Sequence, residues 1–331
     1  MPQHDPAAQT MRTVRFHDFG EPADVLRLET VPAPTPGPGR VRIAVHACGL
    51  APADWALCRG LFPGTLPRGI GCDASGIVDA VGEGVTDVAV GDRVFGTADF
   101  AGEASAGAAD RAILDHWFAV PEGLGLTEAA ALPMALSTAY WHLARLGLAA
   151  GRTFLINGAG TTIGYAAAQI ALARGARVIA TAGETYAQAL RDLGATVTGY
   201  GAGLPERIKA LGGGPVDAVF DTAPPSGALP DLVQIAGGDP KRVLTCSDMA
   251  ASQELGVRDT FHEDPATWGE DERYGAFFAE FAQLAAKGEF TIPIAATFPL
   301  EEWRTALDVS LTGHARGKLL LLPGGSRAAA S

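Results

Sequence analysis

Chemistry first becomes legible where an apolar run gives way to small residues, Phe154-Leu155-Ile156-Asn157-Gly158-Ala159-Gly160-Thr161-Thr162-Ile163-Gly164. A turn of this composition between a strand and a helix presents unpaired amides and the positive end of a helix dipole, which suits a pyrophosphate. Set against G-x-G-x-x-G, Gly164 is the third glycine, while Ala159 and Thr161 stand at the first two positions. One glycine of three is in register. Gly164 lets helix and strand approach closely. Thr161 puts a β-branched side chain where a cofactor backbone would pass, or offers its hydroxyl to a phosphate. The alternative is an ordinary strand-turn-helix connection with no ligand.

The elements around this turn decide whether it can act. Ile163, Ala167, Ile170 and Ala171 recur at helical spacing, and residues 177–182 read as a second strand, which completes a βαβ unit. From Thr127 onward helices alternate with strands, expected at 154–157, 178–181, 197–198, 218–221 and 242–246, a pattern that predicts a doubly wound parallel sheet. Residues 11–126 differ. They are rich in Gly and Pro, with short alternating pieces such as 41–45, and predict a mostly β domain. Residues 276–287 form an expected amphipathic helix carrying Phe277, Phe281 and Leu284, followed by strands at 294–298 and 318–322 that return to the first domain. Residues 1–10 and 324–331 read as tails.

With 331 residues, 47% of them hydrophobic, the chain has the length of about two domains and enough apolar side chains for a sizeable core. Twenty-five basic against thirty-seven acidic residues give a net charge of −12, which opposes nonspecific binding to nucleic acid or anionic lipid. There is no apolar run of about 18 residues that would span a bilayer, and the first ten residues lack the apolar stretch of a signal peptide. Cys48, Cys58, Cys72 and Cys246 show neither C-x-x-C pairing nor a disulfide framework. A cytoplasmic, reduced protein with no membrane or nucleic-acid partner is expected.

Several blocks then occur in a familiar order. Residues 41–54, Gly82-Glu83-Gly84 with Val90-Gly91-Asp92-Arg93-Val94-Phe95-Gly96, Ala129-Ala130-Ala131-Leu132-Pro133 with Ser137-Thr138-Ala139-Tyr140, the βαβ turn, and Gly313-His314-Ala315-Arg316-Gly317-Lys318 resemble the medium-chain dehydrogenase/reductase superfamily, nearest its zinc-free quinone oxidoreductases. The resemblance implies an α/β protein. A GroES-like catalytic domain (11–126) would be interrupted by a Rossmann NAD(P)-binding domain (127–275), with a C-terminal segment (276–323) returning to the first. It places the first zinc ligand of alcohol-oxidising relatives at Ala51, the second at Cys72 and the third near Pro133 or Met134. Cys72 alone cannot hold zinc, so no metal is expected. Without a Lewis acid for an alkoxide, the implied chemistry is hydride transfer from NADPH to a quinone or an α,β-unsaturated carbonyl, a small-molecule substrate. Alternatives are an enoyl reductase dedicated to a biosynthetic intermediate and a noncatalytic NADPH-binding protein. A homodimer is implied by resemblance.

The resemblance also carries residues. Cofactor contacts are expected from Gly158, Ala159, Gly160, Thr161, Thr162, Ile163 and Gly164, and from Thr138, whose alternative is a helix-start cap. Gly183 ends the second strand of the βαβ unit, where a carboxylate would select NAD; Glu184 follows one step late, and Tyr200 matches a tyrosine flanking the adenosine end in NADP-dependent relatives. NADPH is favoured over NADH. Thr222, Ala223 and Ser247 follow later strands at the ligand-bearing edge, with Asp221 fixing its loop; for Arg316 and Lys318 the alternatives are assistance at the cofactor and surface ion pairs. No general acid is assigned. Asp54, whose alternative is a helix cap, Trp55 as a pocket wall and His262 as a proton donor are the candidates on the substrate side. His142 is expected to be packed or solvent-facing.

Overall fold

The computed structural model describes residues 10–62, 64–98, 103–212, 215–260 and 272–324. They form two compact units, one running up to Met134 and resuming at Gly275, the other spanning Ala135–Tyr274.

The first unit begins with β1 (Thr10–Phe16), β2 (Arg27–Pro32), β3 (Val41–Leu50), β4 (Arg68–Gly69), β5 (Asp73–Val81), β6 (Arg93–Ala98) and β7 (Arg111–Ala119). In β3, Val41, Ile43, Val45 and Ala47 are buried while Ala44 and His46 between them are exposed. That period of two makes the segment a strand with one wet face. β3 pairs antiparallel with β5, and its first half also pairs with β7, so β3, β5, β6 and β7 close on themselves as a small barrel. β1 lies between β2 and β4 in a separate three-stranded sheet. Thr10, expected in a tail, is the first residue of β1, opposite Pro32.

The second unit holds β8 (Thr153–Asn157), β9 (Arg177–Thr181), β10 (Thr196–Thr198), β11 (Ala218–Asp221), β12 (Val243–Thr245) and β13 (Arg258–Asp259). They lie in the order β10-β9-β8-β11-β12-β13, every pair parallel. This is a doubly wound sheet whose strand order reverses between β8 and β11, and the crevice beyond their carboxyl ends is the ligand position of such sheets. Leu155, Val219 and Val243 are buried among Leu229 and Leu232 of a flanking helix. The expected strand at 242–246 is shorter because Arg242 closes a 3-10 turn, Pro240–Arg242. β13 was not expected; two residues carry too little periodicity to announce a strand.

The chain then returns to the first unit. β14 (Ile294–Pro299) pairs parallel with β15 (Lys318–Leu322), which pairs antiparallel with β3 through Leu319–Leu50 and Leu321–Cys48. Phe277, Phe281 and Phe290 pack as an aromatic chain, Phe277 and Phe281 from the helix Glu272–Ala286.

Candidate cofactor site

The last residues of four strands lie in one row across the parallel sheet. Asp221 is in register with Asn157 on one side and Thr245 on the other, and Thr181 stands beside Asn157, one step beyond the Ile156–Ala180 pair. The preceding row is Ala180, Ile156, Phe220 and Leu244, all apolar and fully buried. One step toward the carboxyl edge therefore changes the chemistry from hydrocarbon to hydrogen bonding. Thr181 donates its hydroxyl to Asn157 Oδ1 at 2.7 Å, and Asn157 Nδ2 donates to Asp221 Oδ1 at 2.8 Å. Thr245 donates to Asp221 Oδ2 at 2.8 Å. Burial pushes the Asp221 carboxyl up, and the bonds from Asn157, Thr245 and the Ala223 amide pull it back. Asp221 thus fixes its loop, as expected.

The glycine turn rests on this row. The Gly158 amide donates to Thr181 Oγ1 at 2.9 Å, and Gly158 adopts φ 77°, with a Cβ there falling 2.6 Å from the Ala223 nitrogen. At Gly164 a Cβ would fall 2.3 Å from Gly158 O and 2.6 Å from Thr222 Oγ1. Gly164 is therefore the close-approach glycine that its register implies. Thr161 is the N-cap of the helix Thr162–Ala173: its hydroxyl accepts from the Gly164 amide at 3.0 Å and meets Thr222 Oγ1 at 2.9 Å. Thr222 Oγ1 in turn lies 3.0 Å from both Asn157 O and Gly158 O. Both hydroxyls bond inward, and Thr222 is buried. The amides of Gly160, Thr162 and Ile163 meet no acceptor among the described residues. Beside Gly160 the space is open except for the Tyr186 ring, 3.3 Å from the position a Cβ would take. Open amides and a free cradle at the switch point fit a pyrophosphate.

Gly183 and Tyr200 are brought together, the tyrosine ring lying 3.7 Å from where a Gly183 Cβ would stand. Gly183 is the N-cap of the helix Glu184–Asp192, and Glu184 points to solvent from its first turn. Ser247 Oγ donates to Ala223 O, and the amides of Ser247 and Asp248 reach Thr245 Oγ1 at 3.2 Å each. Thr138 is mid-helix in Pro133–Arg145 and caps nothing; its carbonyl accepts from His142 Nδ1 at 2.6 Å. His142 is fully buried, stacked on Phe220.

The first unit corrects two expectations, for Trp55 and Lys318. Trp55 is core, not wall: it is 3% exposed and its indole N–H donates to Ser310 Oγ at 2.8 Å. Lys318 is no surface cation. It is buried, with Nζ 2.5 Å from Asp73 Oδ2, while Asp73 Oδ1 accepts the Met134 amide at 2.8 Å. Burial works against the Lys318 ammonium, but Asp73 and Asp54 outweigh it and hold its pKa up. Asp54 takes the capping role given as its alternative: at the third position of the helix Pro52–Cys58 it accepts the amide of the N-cap residue Ala51 at 2.7 Å, and the Gly71 amide at 2.6 Å, and burial pushes its carboxyl up to about 6. Arg316 is exposed. His262 lies outside the described residues.

The donor set does not fit zinc. Ala51 offers no ligand atom, neither does Pro133, and Cys72 is left as the one thiol among the positions where the resemblance places zinc ligands. Among the described residues no three His, Cys, Asp or Glu side chains are grouped to hold a metal. No described helix is long and apolar enough to cross a membrane.

Family models agree with this architecture. An alcohol dehydrogenase GroES-like domain matches residues 37–139 and a zinc-binding dehydrogenase model matches residues 193–321. Quinone oxidoreductase of Rattus norvegicus is 30% identical over 94% of this chain and 98% of its own length. Phthioceranic/hydroxyphthioceranic acid synthase of Mycobacterium tuberculosis is 31% identical over 86% of this chain, which spans 14% of that protein. An alcohol dehydrogenase superfamily protein from Novosphingobium aromaticivorans superposes with a TM-score of 0.77 at 28% identity, over 94% of this chain and 99% of that one. The chain belongs to the medium-chain dehydrogenase/reductase superfamily, oxidoreductases that bind nicotinamide cofactors. Within it, relatives named quinone oxidoreductase are alike over nearly the full length.

Thr181, Asn157 and Thr245 were missed as site residues. A signal was present: each is a polar residue that closes its strand directly after an apolar run, residues 178–180, 154–156 and 243–244 respectively.

Proposed function

We propose that the protein is an NADPH-dependent reductase of quinones or α,β-unsaturated carbonyls that works without metal. The observation that carries this reading is the donor set around Ala51 and Cys72, which lacks the ligands an alkoxide-stabilising zinc would need. Near-full-length likeness to a relative named quinone oxidoreductase supports the acceptor class. The open amides of Gly160, Thr162 and Ile163 would hold the pyrophosphate, and the nicotinamide, when bound, supplies hydride. Gly183 and the adjacent Tyr200 leave the adenosine end without a carboxylate at the strand terminus, which supports NADPH. The chain's task is then to orient and to exclude water; an acceptor already electrophilic at carbon needs only hydrogen bonds to the anion that forms on it and a proton, for which water suffices.

The likeness to a stretch of a mycobacterial acid synthase supports a second reading, an enoyl reductase dedicated to a biosynthetic intermediate. A noncatalytic NADPH-binding protein is the third. A cytoplasmic homodimer is proposed on family resemblance alone. NADPH oxidation is measured against a panel of quinones, enones and enoyl thioesters, with metal analysis of the same preparation. Turnover with quinones or simple enones and no stoichiometric zinc is expected. Turnover confined to enoyl thioesters moves the protein to the second reading, and tight NADPH binding without turnover moves it to the third; stoichiometric zinc overturns the metal-free mechanism.

A further inference from the structure

We infer that Asp221 is a positioning residue that sets the hydrogen-bond order of three loops at the carboxyl edge of the parallel sheet, and through them the affinity for the dinucleotide. The inference rests on the proposed cofactor binding at this edge. Donors and acceptors can be assigned around the row because several groups have only one role. The Gly158 amide must donate, so Thr181 Oγ1 accepts from it and sends its single hydrogen to Asn157 Oδ1. The Asn157 carboxamide then presents its N–H to Asp221. From the other side, the Ser247 and Asp248 amides both donate to Thr245 Oγ1, which sends its hydrogen to the second oxygen of Asp221. The Ala223 amide also points at Asp221, at 3.3 Å. Every chain of bonds ends on this carboxylate. It alone accepts on both sides.

An amide at 221 would break that order wherever its N–H2 group faced. Facing Thr245, it would ask a hydroxyl oxygen already taking two amides to take a third donor. Facing Asn157, it would force that carboxamide to flip and leave the Thr181 hydroxyl, already accepting from Gly158, with a second donor and no acceptor for its own hydrogen. Either way a backbone amide of a cofactor-facing loop loses its anchor, at Gly158 or at Ser247 and Asp248. Exchanging the two residues restores the pattern: a carboxylate at 157 accepts from Thr181 and from the amide nitrogen at 221, whose oxygen accepts from Thr245. Only the long Ala223 bond is lost.

The test compares Asp221→Asn, the exchange variant Asn157→Asp/Asp221→Asn, and wild type by direct NADPH and NADH titration and by steady-state kinetics with a quinone. Asp221→Asn is expected to weaken NADPH binding about tenfold. The quinone KM at saturating NADPH stays within about twofold, and the exchange variant recovers most of the lost affinity. Unchanged NADPH affinity in Asp221→Asn, equal rises in both KM values, or an exchange variant no better than the single one overturns the inference. Wild type that binds neither dinucleotide overturns both this inference and the reading beneath it. Thr181→Val against Thr181→Ser supplies the same comparison if Asp221→Asn does not fold: the hydroxyl-bearing variant should bind NADPH like wild type and the valine variant about tenfold more weakly, and equal affinities refute the assignment.

Discussion

Replacing Lys318 by Met should destabilise the protein far more than replacing it together with Asp73. The ammonium lies 2.5 Å from Asp73, both side chains are almost wholly buried, and among the described residues Asp73 keeps only the Met134 amide once its partner is gone. Removing one member of a buried ion pair costs about 3–5 kcal/mol, because the remaining charge has neither water nor counterion. For a cooperative unit of roughly 200 residues that is a fall in Tm of about 10 °C. The methionine itself fits, since Met and the Lys stem have similar shape and the stem runs over Gly49, where Lys318 Cε would lie 2.5 Å from an added Cβ. Lys318→Met/Asp73→Leu, which removes both charges, should regain most of the loss. The sign with pH follows from Asp73. Burial already raises its carboxyl, and without the ammonium it rises further above the unfolded value of about 3.9. The folded state then holds a proton that the unfolded state releases, so the deficit of Lys318→Met widens as pH rises from 5 to 8. Scanning calorimetry at both pH values measures this. A single variant within about 3 °C of wild type at pH 8, or a double variant as unstable as the single, would refute the assignment of a buried ion pair.

Two further outcomes concern the cofactor turn. Gly164→Ala drives a methyl onto Gly158 O and Thr222 Oγ1, so a loss of about 1–3 kcal/mol in unfolding free energy is expected, with NADPH affinity falling in the same titration; a variant equal to wild type in both would show that the turn is not tightly packed. Gly183→Asp places a carboxylate beside Tyr200, and the ratio of NADH to NADPH affinity should rise at least about tenfold; an unchanged ratio means that the adenosine end lies elsewhere.

The architecture was legible because its signals are local and periodic. Phe154 to Ile156 followed by helical spacing from Ile163 marks a βαβ unit without any knowledge of its surroundings, and the alternation in β3 marks a half-buried strand. The site was legible only where a residue type has one use. Gly164 had to be a contact point, and the structure makes it one. Thr161 had two, and only the distance to the Gly164 amide shows that its hydroxyl caps the helix. Lys318 and Trp55 read as surface and pocket residues because their partners, Asp73 and Ser310, are hundreds of positions away in sequence. A charged side chain four residues from the Gly313-His314 turn gives no hint that it is buried. The polar row at Thr181, Asn157, Asp221 and Thr245 lay between these cases: each residue is visible at a strand end, but their alignment depends on strand order.

The interruption of the first unit has a consequence for how the chain is made. All six strands of the parallel sheet emerge from the ribosome in one uninterrupted stretch, whereas β3 must wait for β15, and Asp73 for Lys318, 245 residues later. Contacts of such separation form late, because closing a long loop comes before any reward. The inserted unit can therefore complete itself during synthesis while β3 still exposes the backbone edge at Cys48 to Leu50 and Asp73 lies beside it without its counterion. An unpaired strand edge of that kind is a template for other chains. The nascent protein is thus most exposed to aggregation just before β15 is released.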